Sequence, residues 1–274
     1  MSKNDEHSGV RSETWEDVLA SLCRLQSVLP DAVLIGGTAS ALYAGHRISF
    51  DHDHVVPNLR ERFDAVLAEL EAVSGWETNR IKRPVLILGS LDGVETGVRQ
   101  LRRALPLETT VMHVGEHDVI LPTLPEVLRI KAFLCLERNA TRDYLDLAAL
   151  AAHLGIESAS YALWSMDELY PQKSGGGWVV RTQLIMQLAA PPPYDLDKVD
   201  LAEYKGVHPP FDRWEYVTDI CGKLSDWLLN ACEKTLRGDS SAAAGQAQMK
   251  IGQWRDARDA GQTLPPARLP GFDT

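Results

Sequence analysis

Asp51 and Asp53 stand two residues apart in the run Arg47-Ile48-Ser49-Phe50-Asp51-His52-Asp53, which follows Gly36-Gly37-Thr38-Ala39 at short range. On a strand, alternate side chains share a face, so the two carboxylates lie together with Arg47 and Ser49. Like charges this close repel, and a divalent cation between them relieves the repulsion. Oxygen ligands on an open site suit Mg²⁺ held jointly with substrate phosphates. Gly36 and Gly37 end the apolar run Ala32-Val33-Leu34-Ile35 and open a short Ala- and Leu-rich helix. Such a turn offers unpaired backbone N–H groups and the positive end of a helix dipole to a triphosphate lying over Gly37 and Thr38. Each motif alone is common; their order and separation single them out.

His46, His52 and His54 crowd around the acids. The pleat sends His52 and His54 to the opposite face, beside Ile48 and Phe50, so they are expected to be packed or surface side chains and not ligands of the same metal. His113 and His117 straddle a turn without a third ligand nearby and read as structural.

A second group lies after Pro122. Lys131 has Val127 and Leu128 one turn before it and Leu134 and Cys135 one turn after, so its ammonium projects from a largely apolar face. It needs a partner, either a triphosphate or water reached by snorkelling. In the following segment Arg142, Asp143 and Asp146 fall near one another, with Arg138 leading in. An internal Arg142–Asp146 ion pair and a catalytic role are the two readings of that group.

Helical periodicity marks Glu13 to Leu29, closed by Pro30, and Leu59 to Val73, closed by Gly75. A strand is expected from Ile48 to Val56, and Asp92-Gly93 predicts a hairpin between Val85–Leu88 and Val94–Leu101. Thr109 to Val114 and Asp118 to Leu121 read as two more strands. Thr123, with Glu126 three residues on and Pro125 in the first turn, predicts a capping box opening a helix to about Arg138. A helix ending near Gly155 should follow, and Trp214 to Thr235 carries a near-heptad apolar series. Ser174–Gly177 and Pro191–Pro193 read as breakers around an apolar stretch from Trp178 to Ala189. The expected fold class is α/β (α+β), with a catalytic domain over 1–122, a helical domain over 123–238 and a loosely ordered tail over 239–274.

The 274 residues carry a net charge of −10, which argues against a surface given over entirely to nucleic acid. A basic stretch (Arg80, Lys82, Arg83, Arg99, Arg102, Arg103) nevertheless offers an RNA edge or a solvated face. Four scattered cysteines fit a reducing compartment, and no apolar run suggests a signal peptide or membrane span, so a cytoplasmic protein is expected.

Taken in order, Ile35-Gly36-Gly37-Thr38-Ala39, Gly45-His46-Arg47-x-Ser49-x-Asp51-x-Asp53, Lys131, Arg138 and Arg142-Asp143-x-x-Asp146 resemble the AbiEii/AbiGii nucleotidyltransferase toxins of the polymerase-β-like superfamily. The resemblance covers roughly Val33 to Leu150. It implies a small mixed sheet flanked by helices, then a helical C-terminal domain. It also implies Asp51 and Asp53 as metal ligands, Lys131 as a triphosphate contact, catalytic use of Asp143 and Asp146, and Arg142 as a nucleotide-binding residue. Gly36, Gly37, Thr38, Arg47 and Ser49 would complete the nucleotide site. Family members are toxin halves of toxin–antitoxin or phage-defence pairs, and some transfer nucleotides to tRNA. The expected partners are therefore a nucleoside triphosphate, a tRNA acceptor and a cognate antitoxin. His54 departs from the more usual apolar or aromatic residue, and Glu95 is the candidate for a third carboxylate. The competing readings are transfer to a small molecule or protein, and a non-catalytic nucleotide-binding regulatory module.

Overall fold

The computed structural model describes residues 14–103, 105–170 and 180–236. The breakers at Ser174–Gly177 and the tail from Asp239 lie outside the described residues. Helix α1 (Trp15–Val28) starts at a capping box in which the Thr14 side chain accepts from the Asp17 N–H and Asp17 answers to the Thr14 N–H. Its apolar stripe feeds two cores. Strand β1 (Val33–Ile35) runs directly into helix α2 (Gly36–Ala44), which ends at Gly45 in the left-handed conformation, φ 59°. Strand β2 (His52–Val56), helix α3 (Leu59–Glu71) and strands β3 (Trp76–Lys82), β4 (Leu86–Leu91) and β5 (Val94–Gln100) follow.

The five strands form one mixed sheet in the order β1-β2-β5-β4-β3. Only β2 and β5 pair in parallel; the other pairings are antiparallel. Asp92 and Gly93 both take positive φ, as the predicted Asp-Gly hairpin turn between β4 and β5 requires. Strand β3 has no counterpart in the sequence reading. It is an edge strand, exposed from Glu77 to Lys82, so its sequence carries little of the apolar alternation that a half-buried strand shows. Strand β2 starts at His52 and not at Ile48 as expected; the Ile48 N–H bonds to the carbonyl of Lys205 in a distant loop.

Strands β6 (Thr109–Val114) and β7 (His117–Pro122) make a separate hairpin. Gln26 ties it to the sheet: its side chain donates to the carbonyls of Ala32 (3.1 Å) and Ile120 (2.7 Å) and accepts from the Ile120 N–H. Helices α4 (Leu124–Glu137), α5 (Thr141–Leu154), α6 (Ile156–Trp164), α7 (Met166–Leu169), α8 (Val180–Ala189) and α9 (Trp214–Leu236) follow among the described residues. Among the described residues no helix is long and apolar enough to cross a membrane. The predicted Thr123–Glu126 capping box does not form, since Thr123 makes no side-chain cap bond. Glu126 is sealed from water and turns instead to Arg103 (2.7 Å) and Arg129 (3.0 Å), stronger charged partners than a backbone N–H.

Leu25, Leu29, Phe63, Val66, Ile87 and Val98 belong to the core between α1, α3 and the sheet. The larger core joins α1 and α2 to the helices from α4 onward, through Leu22, Leu42, Leu128, Leu145 and Leu224 among others. The α+β architecture and the helical C-terminal part expected from the sequence are those observed.

Candidate nucleotide and metal site

Asp53 lies on β2, paired with Ile35 of β1 on one side and Gly97 of β5 on the other. A Cβ on Gly97 would come within 2.7 Å of the Asp53 Oδ1, so the missing side chain is what makes room for the carboxylate. Gly36, at φ +84°, closes the opposite flank in a conformation that favours glycine. Asp51 sits just ahead of the strand. Its carbonyl accepts from the Thr38 hydroxyl, and the Ser49 hydroxyl donates to its Oδ1 at 2.9 Å. These bonds fix Asp51 against the start of α2, whose N-cap residue Ile35 makes no side-chain cap bond. The first-turn N–H groups of α2 thus lie beside the acids without a side-chain cap from Ile35. The side chains of Asp51 and Asp53 are 48% and 29% exposed. Two cations accompany them: Arg99 on β5, 3.1 Å from Asp53 Oδ1, and Lys205, 3.9 Å from Asp51 Oδ1.

Beneath this opening lies a closed ion cluster. Asp146 on α5 is inaccessible to water and accepts from Arg47 Nε (2.8 Å) and Nη2 (3.1 Å), with the Lys131 ammonium 2.7 Å from its Oδ2. His46 Nε2 lies 2.8 Å from Oδ1. A carboxylate can only accept, so Nε2 carries a proton. Burial alone would push the Asp146 carboxyl up. The charges of Arg47 and Lys131, with hydrogen bonds from His46 and Arg47, overcome it and hold the group well below the usual carboxylate range. Burial drives His46 the other way, down from its ordinary value despite the Asp146 contact. The cluster thus holds two cations against one anion, and Asp51 acts on Arg47 as a second, more distant anion.

The two levels meet at Gly37. A Cβ there would fall 2.5 Å from Arg47 Nη2 and 2.9 Å from Ser49 Oγ, so only glycine lets the helix start pass over both.

Arg47 and Lys131, expected as contacts of a triphosphate, both turn inward to Asp146, which pairs with them where spacing had offered Arg142. Arg47 cannot follow strand alternation because the strand begins only at His52. Arg142 is exposed, and Asp143, fully buried, pairs with Arg138 at 2.6 Å. His52 and His54 do point away from the acids into the interior. His52 bridges Ser21 Oγ (3.0 Å) and Thr96 Oγ1 (2.9 Å), and burial lowers it to about 4. Glu95 is exposed on β5. Among the described residues no three His, Cys, Asp or Glu side chains are grouped so as to hold a metal. Two part-exposed carboxylates leave coordination positions open, and such a pair would suit a cation that keeps several waters and arrives with phosphate oxygens.

The segment around Lys205 was missed by sequence reasoning. The Ile48 N–H donates to the Lys205 carbonyl and the His208 N–H to the His46 carbonyl, both at 2.9 Å. Lys205-Gly206 is a weak turn signal, and nothing in its spacing ties it to residues more than 150 positions upstream.

No family model matches the chain. Among curated proteins it is similar to the probable transport protein MmpL11 of Mycobacterium bovis and the heme uptake protein MmpL11 of Mycobacterium tuberculosis. Each is 38% identical over 230 residues, covering 74% of this chain and 22% of the relative. The chain thus spans about a fifth of the length of the curated relatives it matches. Among solved structures it is similar to JHP933 from Helicobacter pylori, with a TM-score of 0.43 and 16% identity, covering 81% of this chain and 94% of that one. It is also similar to ANT(2")-Ia in complex with adenylyl-2"-tobramycin, with a TM-score of 0.43 and 12% identity, covering 54% and 94%.

Proposed function

We propose that the protein is a Mg²⁺-dependent nucleotidyltransferase, the toxin component of a toxin–antitoxin or phage-defence pair, acting in the cytoplasm on an RNA acceptor such as tRNA. The observation that carries the reading is the placement of Asp51 and Asp53, half open to water, beside the uncapped start of α2. Acidic oxygens and free backbone donors side by side suit a metal-bound polyphosphate, which presents cation and anion together. The acceptor class and toxin role extend the sequence resemblance, and the exposed Arg80, Lys82 and Arg83 on and beyond the β3 edge suit an RNA backbone.

Asp51 and Asp53 would hold Mg²⁺, which when bound neutralises charge on the phosphate oxygens. The N–H groups of Gly37 and Thr38 would receive a phosphate at the start of α2. Ser49 and Thr38 hold Asp51 in place. Arg47 and Lys131, fixed by Asp146, would act through their field and not by contact, lowering the energy of negative charge above them. The acceptor hydroxyl would attack the α-phosphorus, releasing its proton to water, with a new P–O bond forming as the bond to pyrophosphate breaks.

Incubation with Mg²⁺, each α-labelled nucleoside triphosphate and total tRNA tests this, with Asp51→Ala as control. Label on RNA only with the intact protein is expected. Retention of full activity by Asp51→Ala would sink the assignment. The acidic net charge of −10 favours one alternative, a small-molecule acceptor. That alternative predicts acceptor affinity nearly independent of salt, where RNA binding weakens steeply as salt rises.

A further inference from the structure

The sealed state of Lys131 leaves an unmet requirement. A triphosphate brought to the acid pair meets two carboxylates, and its charge needs a cation in contact. Lys131 and Arg47 are 2% and 4% exposed at their side chains and are engaged by Asp146. Arg99, 41% exposed, already donates to Asp53 Oδ1 from both Nε and Nη2, whereas Lys205 has a side chain 41% exposed at the mouth of the site and no such bond to Asp51. Its ammonium lies 3.9 Å from Asp51 Oδ1, close enough for attraction but beyond hydrogen-bond length, so Asp51 does not take up its donors.

The backbone beneath Lys205 is held firmly. Its carbonyl accepts from Ile48, and three residues later His208 donates to His46, so the loop grips the segment that carries Arg47 at both ends. Lys205 and Gly206 are both at positive φ, 44° and 60°. For a lysine this left-handed conformation is unfavourable, because its Cβ crowds the following carbonyl. Gly206 is pressed onto Ile48, where an added Cβ would be 3.2 Å from Cδ1. Tyr204, next in the loop, is close enough for Arg47, Arg142, Asp146 and Asp51 to act on its hydroxyl. A strained, doubly tethered turn thus delivers one flexible cation to the open acid pair from a segment far along the chain.

We propose that Lys205 is a phosphate-binding residue of this site, supplying the direct contact to the polyphosphate that buried Lys131 does not make. The inference rests on the nucleotide reading above. On arrival of the anion the ammonium moves from the neighbourhood of Asp51 to the phosphate oxygens, while Asp51 is left to the metal.

Inorganic tripolyphosphate with Mg²⁺ is the probe, because it carries the charge without a base, and calorimetry gives its affinity for the full chain. Lys205→Ala is expected to bind at least about tenfold more weakly, the scale of one charge-assisted hydrogen bond, and Lys205→Arg to stay within about threefold of the parent. Unchanged affinity in Lys205→Ala, with the parent binding, overturns the role of Lys205 and leaves the site reading intact. A loss accompanied by a lower melting temperature and not rescued by arginine also overturns it, since the loop would then be serving the fold alone. If the parent binds neither tripolyphosphate nor any of the four nucleoside triphosphates, the nucleotide reading itself falls, and this inference with it.

Discussion

Asp51 and Asp146 are both carboxylates acting on Arg47, yet they occupy opposite conditions. Asp146 is sealed, ringed by Arg47, Lys131 and His46 at 2.7–2.8 Å, and saturated with donors. Asp51 is about half exposed, receives one serine hydroxyl, and has its nearest ammonium out at 3.9 Å. The difference separates two uses of the same side chain. A buried charge can remain only when its partners are permanent, whereas an open acid with unspent lone pairs keeps the capacity to take a ligand.

The largest effect that sharpens this contrast is expected at Asp146. Replacing it with alanine leaves Arg47 and Lys131 buried without a counter-charge, and destabilisation of about 3–5 kcal/mol is expected in urea titrations. A cost below about 1 kcal/mol would break the comparison by making the cluster no more than a polar contact.

Acid should act on the interior in two stages. His46, His52 and His54 are all held below the ordinary histidine value, chiefly by burial. The unfolded chain then binds more protons than the folded one once pH falls below about 6.5, so stability drops from there towards each folded value. Asp146 is depressed below the usual carboxylate range, so its contribution is present above about 3.9 and is lost only as pH falls further. Urea midpoints measured from pH 8 to 4 should be level down to about 6.5 and decline below it. A midpoint that rose on acidification would contradict the burial of these histidines.

Gly37→Ala joins the two regions, because its new methyl must displace an Arg47 that Asp146 pins in place. A cost of about 1–3 kcal/mol is expected from overpacking, together with weakened tripolyphosphate binding. Asp51→Asn is the smallest in stability, within about 0.5 kcal/mol as for an exposed substitution, while transfer is lost. If Asp51→Asn instead destabilised as strongly as Asp146→Ala, the two acids would share one structural role.

The elements with strong periodic patterns were legible in the sequence. The starts and stops of α1, α2 and α9 fall within a residue or two of the periodicity and its Pro and Gly boundaries. Alternation correctly set His52 and His54 against the acids, because β2 does begin at His52. It misled for Arg47, which lies outside the strand, and no local pattern announces a backbone bond from Ile48 to Lys205. The inward turn of Lys131 was half visible, since its apolar neighbours demanded a partner. The identity of that partner depended on how α4, α5 and the start of α2 pack together, which sequence spacing does not encode. The capping-box motif at Thr123 failed for a similar reason, as two arginines from other segments and turns outcompeted a local N–H for Glu126.

The grip of the Lys205–His208 turn on residues 46–48 also sets an order of events during synthesis. Residues 46–48 leave the ribosome early, but the carbonyl of Lys205 and the N–H of His208 exist only after most of the helical part has been translated. Until then the Ile48 N–H and His46 carbonyl lack these partners, and Lys205 is absent from the mouth of the site. The nascent chain can thus assemble its sheet and acid pair while the site is still incomplete, and a chain terminated before residue 205 would never complete it.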